Sequence, residues 1–260
     1  MQNEDNGNVE YKNEGGEKVK KMFSISSISK GRRIWYGLFL FIQVMILGLI
    51  AIPSAYAISI TLNNPLTPGV DVTCADGALC DSNPVAGAVT FIGSVGNFFL
   101  NVTTGITYPA LGTPASPEID LNSVDVSSSG GGTLIIRVSE VGYTGPINGG
   151  TFYSGFSVGG VTSGTITFNA FLDDRNRLFR TTSSLGTLGS FGPGAFSGST
   201  GGSASATDPF SLTILTTITH SGAGGTSFNA VLVPEPASIL LLGSGLLGLG
   251  VVKWMRGRRA

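Results

Sequence analysis

GTLIIRVSEVGY, residues 132–143, decides the fold class. Leu134, Ile136 and Val138 fall on one side of it, and Ile135, Arg137 and Ser139 on the other. A period of two is the mark of a strand, because successive side chains of an extended backbone point to opposite faces. The same period recurs along the chain. PFSLTILTTITHSG, residues 209–222, aligns Phe210, Leu212, Ile214, Thr216 and Ile218 against Ser211, Thr213, Thr217 and Thr219. GTITFNAFLDD aligns Ile166, Phe168, Ala170 and Leu172; TSFNAVLV aligns Phe228, Ala230 and Leu232; NFFLNVTTGIT aligns Phe98, Leu100 and Val102. Gly, Asn, Asp and Pro separate these runs, and no comparable stretch has a convincing helical period.

The expected fold is all-β: roughly ten strands in an antiparallel β-sandwich, Ig-like or jelly-roll-like. Thr-rich outer faces fit, since a β-branched side chain suits the pleat while its hydroxyl meets water. A flattened solenoid is the alternative, but no fixed repeat period is visible. The Gly/Ser-rich stretch around 197–207 reads as a mobile loop.

Charge is distributed by topology. Residues 58–233 hold four arginines, no lysine and ten acids, a net charge of −6. Such a surface repels phosphate backbones, which excludes nucleic acid as a partner. The remaining eleven basic residues sit in the first 33 and the last 8 positions.

At the front, Lys30, Arg32 and Arg33 precede an apolar run over 34–52, followed by Pro53, Ser54 and Ala55-Tyr56-Ala57. A charged start, a greasy centre and an A-x-A site make a secretory signal peptide, helical in the membrane, cut by signal peptidase after Ala57. An uncleaved anchor is the alternative. Met22 is a plausible start, because residues 1–21 are polar and foreign to such a leader.

At the back, VPEPASILLLGSGLLGLGVVKWMRGRRA spans 233–260. Residues 237–254 would make a helix of roughly 27 Å, near the thickness of a bilayer's hydrocarbon. Lys253, Arg256, Arg258 and Arg259 would stay cytoplasmic as a stop-transfer signal. Pro234 and Pro236 break regular structure, so 233–236 reads as an exposed, extended tether with Glu235 at the interface. The domains expected are therefore 1–57 (extension and signal peptide), 58–232 (exported β-sandwich) and 233–260 (tail).

Pro234-Glu235-Pro236, a short Gly-rich apolar span and an Arg-rich end together resemble the PEP-CTERM sorting signal of Gram-negative bacteria. The resemblance implies processing by an exosortase, a polytopic membrane enzyme that cuts near Pro-Glu-Pro. It implies passage through the inner membrane, transient anchoring with the body in the periplasm, and final release or re-anchoring at the cell surface. Association with exopolysaccharide and biofilm matrix is implied too. It gives an address and no activity for the body.

The body offers few candidates for chemistry. Cys74 and Cys80, with five residues between them in an exported chain, are expected to form a disulfide. Asp71, Asp76 and Asp81, and Asp173, Asp174 and Asn176, read first as turn residues that bond nearby backbone, with Ca²⁺ binding as the alternative. His220, the sole histidine, reads as structural; one histidine excludes a multi-histidine metal site, and no nucleophile-elbow motif supports a Ser–His–Asp triad. Glu118, Asp120 and Glu140 have no telling spacing, though convergence in space would allow glycoside hydrolysis. Asn101 begins a sequon that carries little weight in a bacterial setting. Tyr108, Tyr143, Tyr153, Phe152 and Phe156 read as packing residues, or as a sugar-stacking platform. No catalytic residue, cofactor or metal is expected. The leading reading is a non-enzymatic envelope protein; the rivals are a glycan-binding or glycan-hydrolysing protein and an unprocessed tail-anchored one.

Overall fold

The structure is a computed structural model, and it describes residues 58–147 and 149–235. The expected signal and transmembrane helices lie outside the described residues, as do Ala55, Ala57, Pro236, Lys253, Arg256, Arg258 and Arg259. Among the described residues no helix is long and apolar enough to cross a membrane.

Every named element is a strand: β1 (Ser59–Asn63), β2 (Val72–Ala75), β3 (Ala88–Val95), β4 (Phe98–Ile106), β5 (Ile119–Ser128), β6 (Gly132–Tyr143), β7 (Thr151–Thr162), β8 (Thr165–Asp173), β9 (Ser183–Phe191), β10 (Gly194–Ser205), β11 (Phe210–His220) and β12 (Gly224–Pro234). They form two antiparallel sheets of six, ordered β2-β1-β6-β11-β8-β9 and β10-β7-β12-β5-β4-β3. From β5 onward the chain crosses between β5-β12-β7-β10 and β6-β11-β8-β9 at every step except the β8–β9 hairpin, the winding of a jelly roll. The first four strands extend both sheets.

The apolar faces read from the period meet in one core. Leu134, Ile136, Val138, Ile166, Phe168, Ala170, Leu172, Phe210, Leu212 and Ile214 are all fully buried. Aromatic pairs join the sheets: Phe152 to Phe210 at 5.2 Å between ring centroids, and Phe168 to Phe228 at 5.0 Å edge-on. Gly105 lets the sheets close here, since a Cβ on it would stand 2.6 Å from a Val138 methyl.

Three local readings are corrected. The stretch around 197–207 is not a loop, because β10 pairs with β7 without a break from Gly194↔Thr162 to Ser205↔Thr151. Small side chains are what this strand needs: a Cβ on Gly202 would collide with the Leu185 carbonyl of β9. In β4 the alternation slips. Register shifts at Leu100/Val102 and Val102/Thr104 leave Val102 half-buried and bury Thr103. A bulge adds one residue and so reverses the faces beyond it. The outer face of β11 is only partly wet. The connection after β8 lies over it, with Phe179 N–H donating to Ser139 Oγ and Ser211 Oγ to the Arg177 carbonyl, so Ser211 and Thr213 are buried.

Candidate functional site

The junction between body and tail is built by β12. Val233 pairs with Gly155 and Pro234 with Ser154 of β7, and Glu235 N–H donates to the Tyr153 carbonyl at 3.0 Å. Strand alternation turns the odd-numbered backbone groups of β12 toward β7 and the even ones toward β5. The β5 ladder ends at Leu232↔Ile119, so the N–H that Pro234 lacks has no partner to miss. The expected free tether over 233–236 is corrected to that extent: residues 233–235 are half-buried and tied into the sheet. The Glu235 carboxylate stands over β10, where a Gly201 side chain would be (2.5 Å).

Cys74 and Cys80 are disulfide-bonded, with Cα atoms 5.8 Å apart. The bridge pins the end of β2 to the turn after it. Closing so short a loop is worth about 2 kcal/mol in the chain-entropy picture. A Cys74→Ser, Cys80→Ser variant is expected to lose that much in urea unfolding, and thiol labelling of the unreduced, denatured protein is expected to give no signal.

The acids flanking the bridge serve the backbone. Asp71 accepts from Asn64 N–H and Thr67 Oγ; Asp81 accepts from the Gly77, Asn83 and Thr90 N–H groups; Asp76 accepts from Gly87 N–H. Asp173 is buried and holds the Arg177 guanidinium at 2.9 Å, which with Thr182 lowers its pKa to about 2. Asn176 Oδ1 accepts from Gly142 N–H. No group of three or more His, Cys, Asp or Glu among the described residues could hold a metal ion.

Glu140 is wholly buried, so it lines no open cleft. Its Oε1 accepts from Val141 N–H at 2.7 Å, and its Oε2 has no hydrogen-bond partner. Burial, aided by the Asp76 carboxylate, raises its pKa to about 8. Asp120 is also raised by burial, and its Oδ2 accepts from Asn122. Of the five aromatic candidates, Tyr143, Phe152 and Phe156 are core. Tyr143 donates to or accepts from Thr107 Oγ at 2.6 Å, and Tyr108 packs edge-on against it while donating to the Val141 carbonyl. Only Tyr108 and Tyr153 remain partly exposed, which does not make a stacking platform.

Sequence reasoning missed one constellation. Ser128 Oγ lies 2.6 Å from His220 Nδ1, His220 Nε2 lies 2.8 Å from Thr226 Oγ, and Thr226 meets Thr162 at 2.7 Å. All four are buried. A seryl nucleophile needs an accessible oxygen, a base oriented by an acid, and N–H donors for an oxyanion. Here the third member is a threonine, and the nearby groups on Ser128 are the Gly222 and Gly224 carbonyls, which are acceptors. The chain is a polar clamp linking β11 to β5, β12 and β7. Burial lowers the pKa of His220 and keeps it neutral. Positions 128, 162, 220 and 226 share no local motif, so no sequence signal marks them.

With the body offering no assembled catalytic group among the described residues, the feature that defines its class is the junction: a closed all-β domain handed directly to a C-terminal address. Residues 232–259 match the PEP-CTERM protein-sorting motif. The chain therefore carries a PEP-CTERM sorting domain at its C-terminal end. No curated protein matches it. Among solved structures it is similar to the C-terminal CBM6 of LamC, a laminarinase of Zobellia galactanivorans (14% identity, 55% of this chain and 98% of that chain, TM-score 0.24). It is similar also to TmCBM61 in complex with β-1,4-galactotriose (10% identity, 44% and 70%, TM-score 0.23) and to a β-glucosidase of Kluyveromyces marxianus (11% identity, 69% and 16%, TM-score 0.27). Likenesses this weak carry nothing about what the domain binds.

Proposed function

We propose that this is an exported, non-enzymatic envelope protein whose tail is removed or exchanged by an exosortase, leaving the β domain at the cell surface as a component of an exopolysaccharide or biofilm matrix. The observation that carries the reading is the sorting motif over 232–259. A signal peptide cut after Ala57 by signal peptidase delivers the body to the periplasm, and the tail holds it briefly on the inner membrane. The buried state of Glu140 and Ser128 favours a structural body over an enzyme.

The junction adds a constraint on the cut. A protease groove takes an extended backbone as an added strand, and Val233 and Glu235 already spend theirs on β7. The bond broken therefore lies beyond Glu235. Intact mass of the surface form is expected to give a C-terminus at or after Glu235 and an N-terminus at Ile58. Replacing Pro234, Glu235 and Pro236 by alanine is expected to leave full-length protein in the inner membrane. Neutralising Lys253, Arg256, Arg258 and Arg259 is expected to let uncleaved protein leak outward, because each cation otherwise costs about 2.5–3.5 kcal/mol to bring into the bilayer. A triple-alanine variant that matures and reaches the surface like wild type refutes the sorting mechanism and leaves the tail as an anchor.

A further inference from the structure

Four strands form the edges of the two sheets, and three are protected. β2 has four residues and is pinned by the disulfide. β3 carries a register shift at Phe91/Gly93, and both the N–H and the carbonyl of Thr90 are taken, by Asp81 and by Ser82. β9 shifts register twice against β8. Short length, bulges and covering loops are the usual means of keeping an edge from pairing with another chain.

β10 has β9 packed under its inner face, with the Leu185 carbonyl against Gly202, but no bulge and no loop over its outer face. It runs twelve residues, GAFSGSTGGSAS, about 40 Å of strand, with no bulge, no proline and no charge. Ala206 N–H donates to the Gly150 carbonyl, on the β7 side. By alternation the N–H and C=O groups of Ala195, Ser197, Ser199, Gly201, Ser203 and Ser205 point the other way, along the open edge. These six residues are exposed, and no strand among the described residues pairs with them.

We infer that this edge is an interaction surface for a second copy of the chain, with two β10 strands pairing antiparallel about a two-fold axis at Thr200. Antiparallel pairing of identical strands is self-complementary, and residues at the open edge must face one another. Among the registers that do so, the one that pairs all six sets Ser199 opposite Gly201 of the other copy, Ser197 opposite Ser203 and Ala195 opposite Ser205. The occupant follows from this self-complementarity, and charge permits it: the body is net −6, but β10 is a long uncharged strip on which two copies can approach without setting like charges together. The outward side chains are hydroxyls, methyls and hydrogens, which leave room for the partner. The Glu235 carboxylate over Gly201 comes beside Ser199 of the other copy, whose hydroxyl can donate to it. Because the other three edges are protected, the assembly closes as a dimer with a continuous twelve-stranded sheet and does not propagate into a fibre.

This inference does not rest on export or cleavage, since the uncleaved chain carries the same edge. The test is light scattering of the full chain in detergent micelles, with far-UV circular dichroism to confirm folding. Wild type is expected to have the protein mass of a dimer. Ser197→Lys with Ser203→Lys sets lysine opposite lysine and is expected to give a monomer. Ser197→Lys with Ser203→Glu sets opposite charges together in this register and is expected to restore the dimer. Ser199→Pro removes an N–H that β7 does not use and is expected to give a folded monomer, so it decides the matter if the lysine pair unfolds. A monomeric wild type overturns the inference, as does a dimer that survives both the lysine pair and Ser199→Pro, which would place association in the tail. A monomeric Lys/Glu variant overturns the register.

Discussion

Raising the pH from 4.5 to 8 is expected to destabilise this domain, and Glu140→Gln to remove most of that loss. The Glu140 carboxyl has a pKa of about 8 in the fold against 4.5 for the ordinary group, chiefly because burial disfavours its charge, with Asp76 adding to the effect and Val141 N–H opposing it. The native state therefore holds a proton that the unfolded chain has released, and stability falls with rising pH throughout that window. Below pH 4.5 the contribution is fully present, and near pH 8 it is spent. The shift corresponds to on the order of 5 kcal/mol, a large part of the total stability of a domain. Other groups, His220 and Asp173 among them, slope the opposite way. His220, held neutral by burial, removes stability as pH falls below its ordinary 6.5. Asp173, lowered to about 2 by Arg177, does so only as pH falls below 3.8. Comparing Glu140→Gln with wild type at each pH isolates the first effect, because glutamine imitates the protonated carboxyl. Urea unfolding at pH 4.5, 6 and 8, followed by circular dichroism, measures it. Parallel stability curves for the two proteins would show that Glu140 is ionised in the fold.

Phe168→Ala is expected to cost about 3–5 kcal/mol, the range for a buried aromatic truncated to a methyl. Phe168 is fully buried on β8, edge-on to Phe228 of β12, with Phe196 of β10 at 5.8 Å and Phe191 of β9 at 6.3 Å. It therefore joins the two sheets at the end where β9 closes over β10, and its loss leaves a cavity lined by four strands. The urea midpoint should fall with little change in slope. Phe99→Ala, on an exposed ring of β4, should move it by less than about 0.5 kcal/mol. Similar midpoints for the two variants would mean that the aromatic cluster does not hold the sheets together.

The strands were legible because their information is local. A period of two in Leu134-Ile136-Val138 or Ile166-Phe168-Ala170 survives in any all-β arrangement, since burial of one face is the same demand whichever sheet the strand joins. The sorting tail was legible for a related reason: a linear address read by other machinery has its residues in sequence order. The Cys74–Cys80 bond is local as well. Where the reading failed, a distant partner decided the outcome. The residues of β10 look like a loop alone; β7 supplies the ladder and β9 the tight fit that make glycine and serine suitable there. Val102 and Thr103 exchange faces because of a bulge set by pairing with β5. Pro234 ends a strand without breaking it because β5 has already stopped. Ser128 and His220, 92 positions apart, meet only because β5 and β11 belong to facing sheets. Sequence by itself determined which face of each strand is apolar and where the chain is addressed, because both depend on neighbours along the backbone. Tertiary structure alone decided register, the buried proton on Glu140 and the open edge of β10, because each is a relation between strands that the chain brings together only on folding.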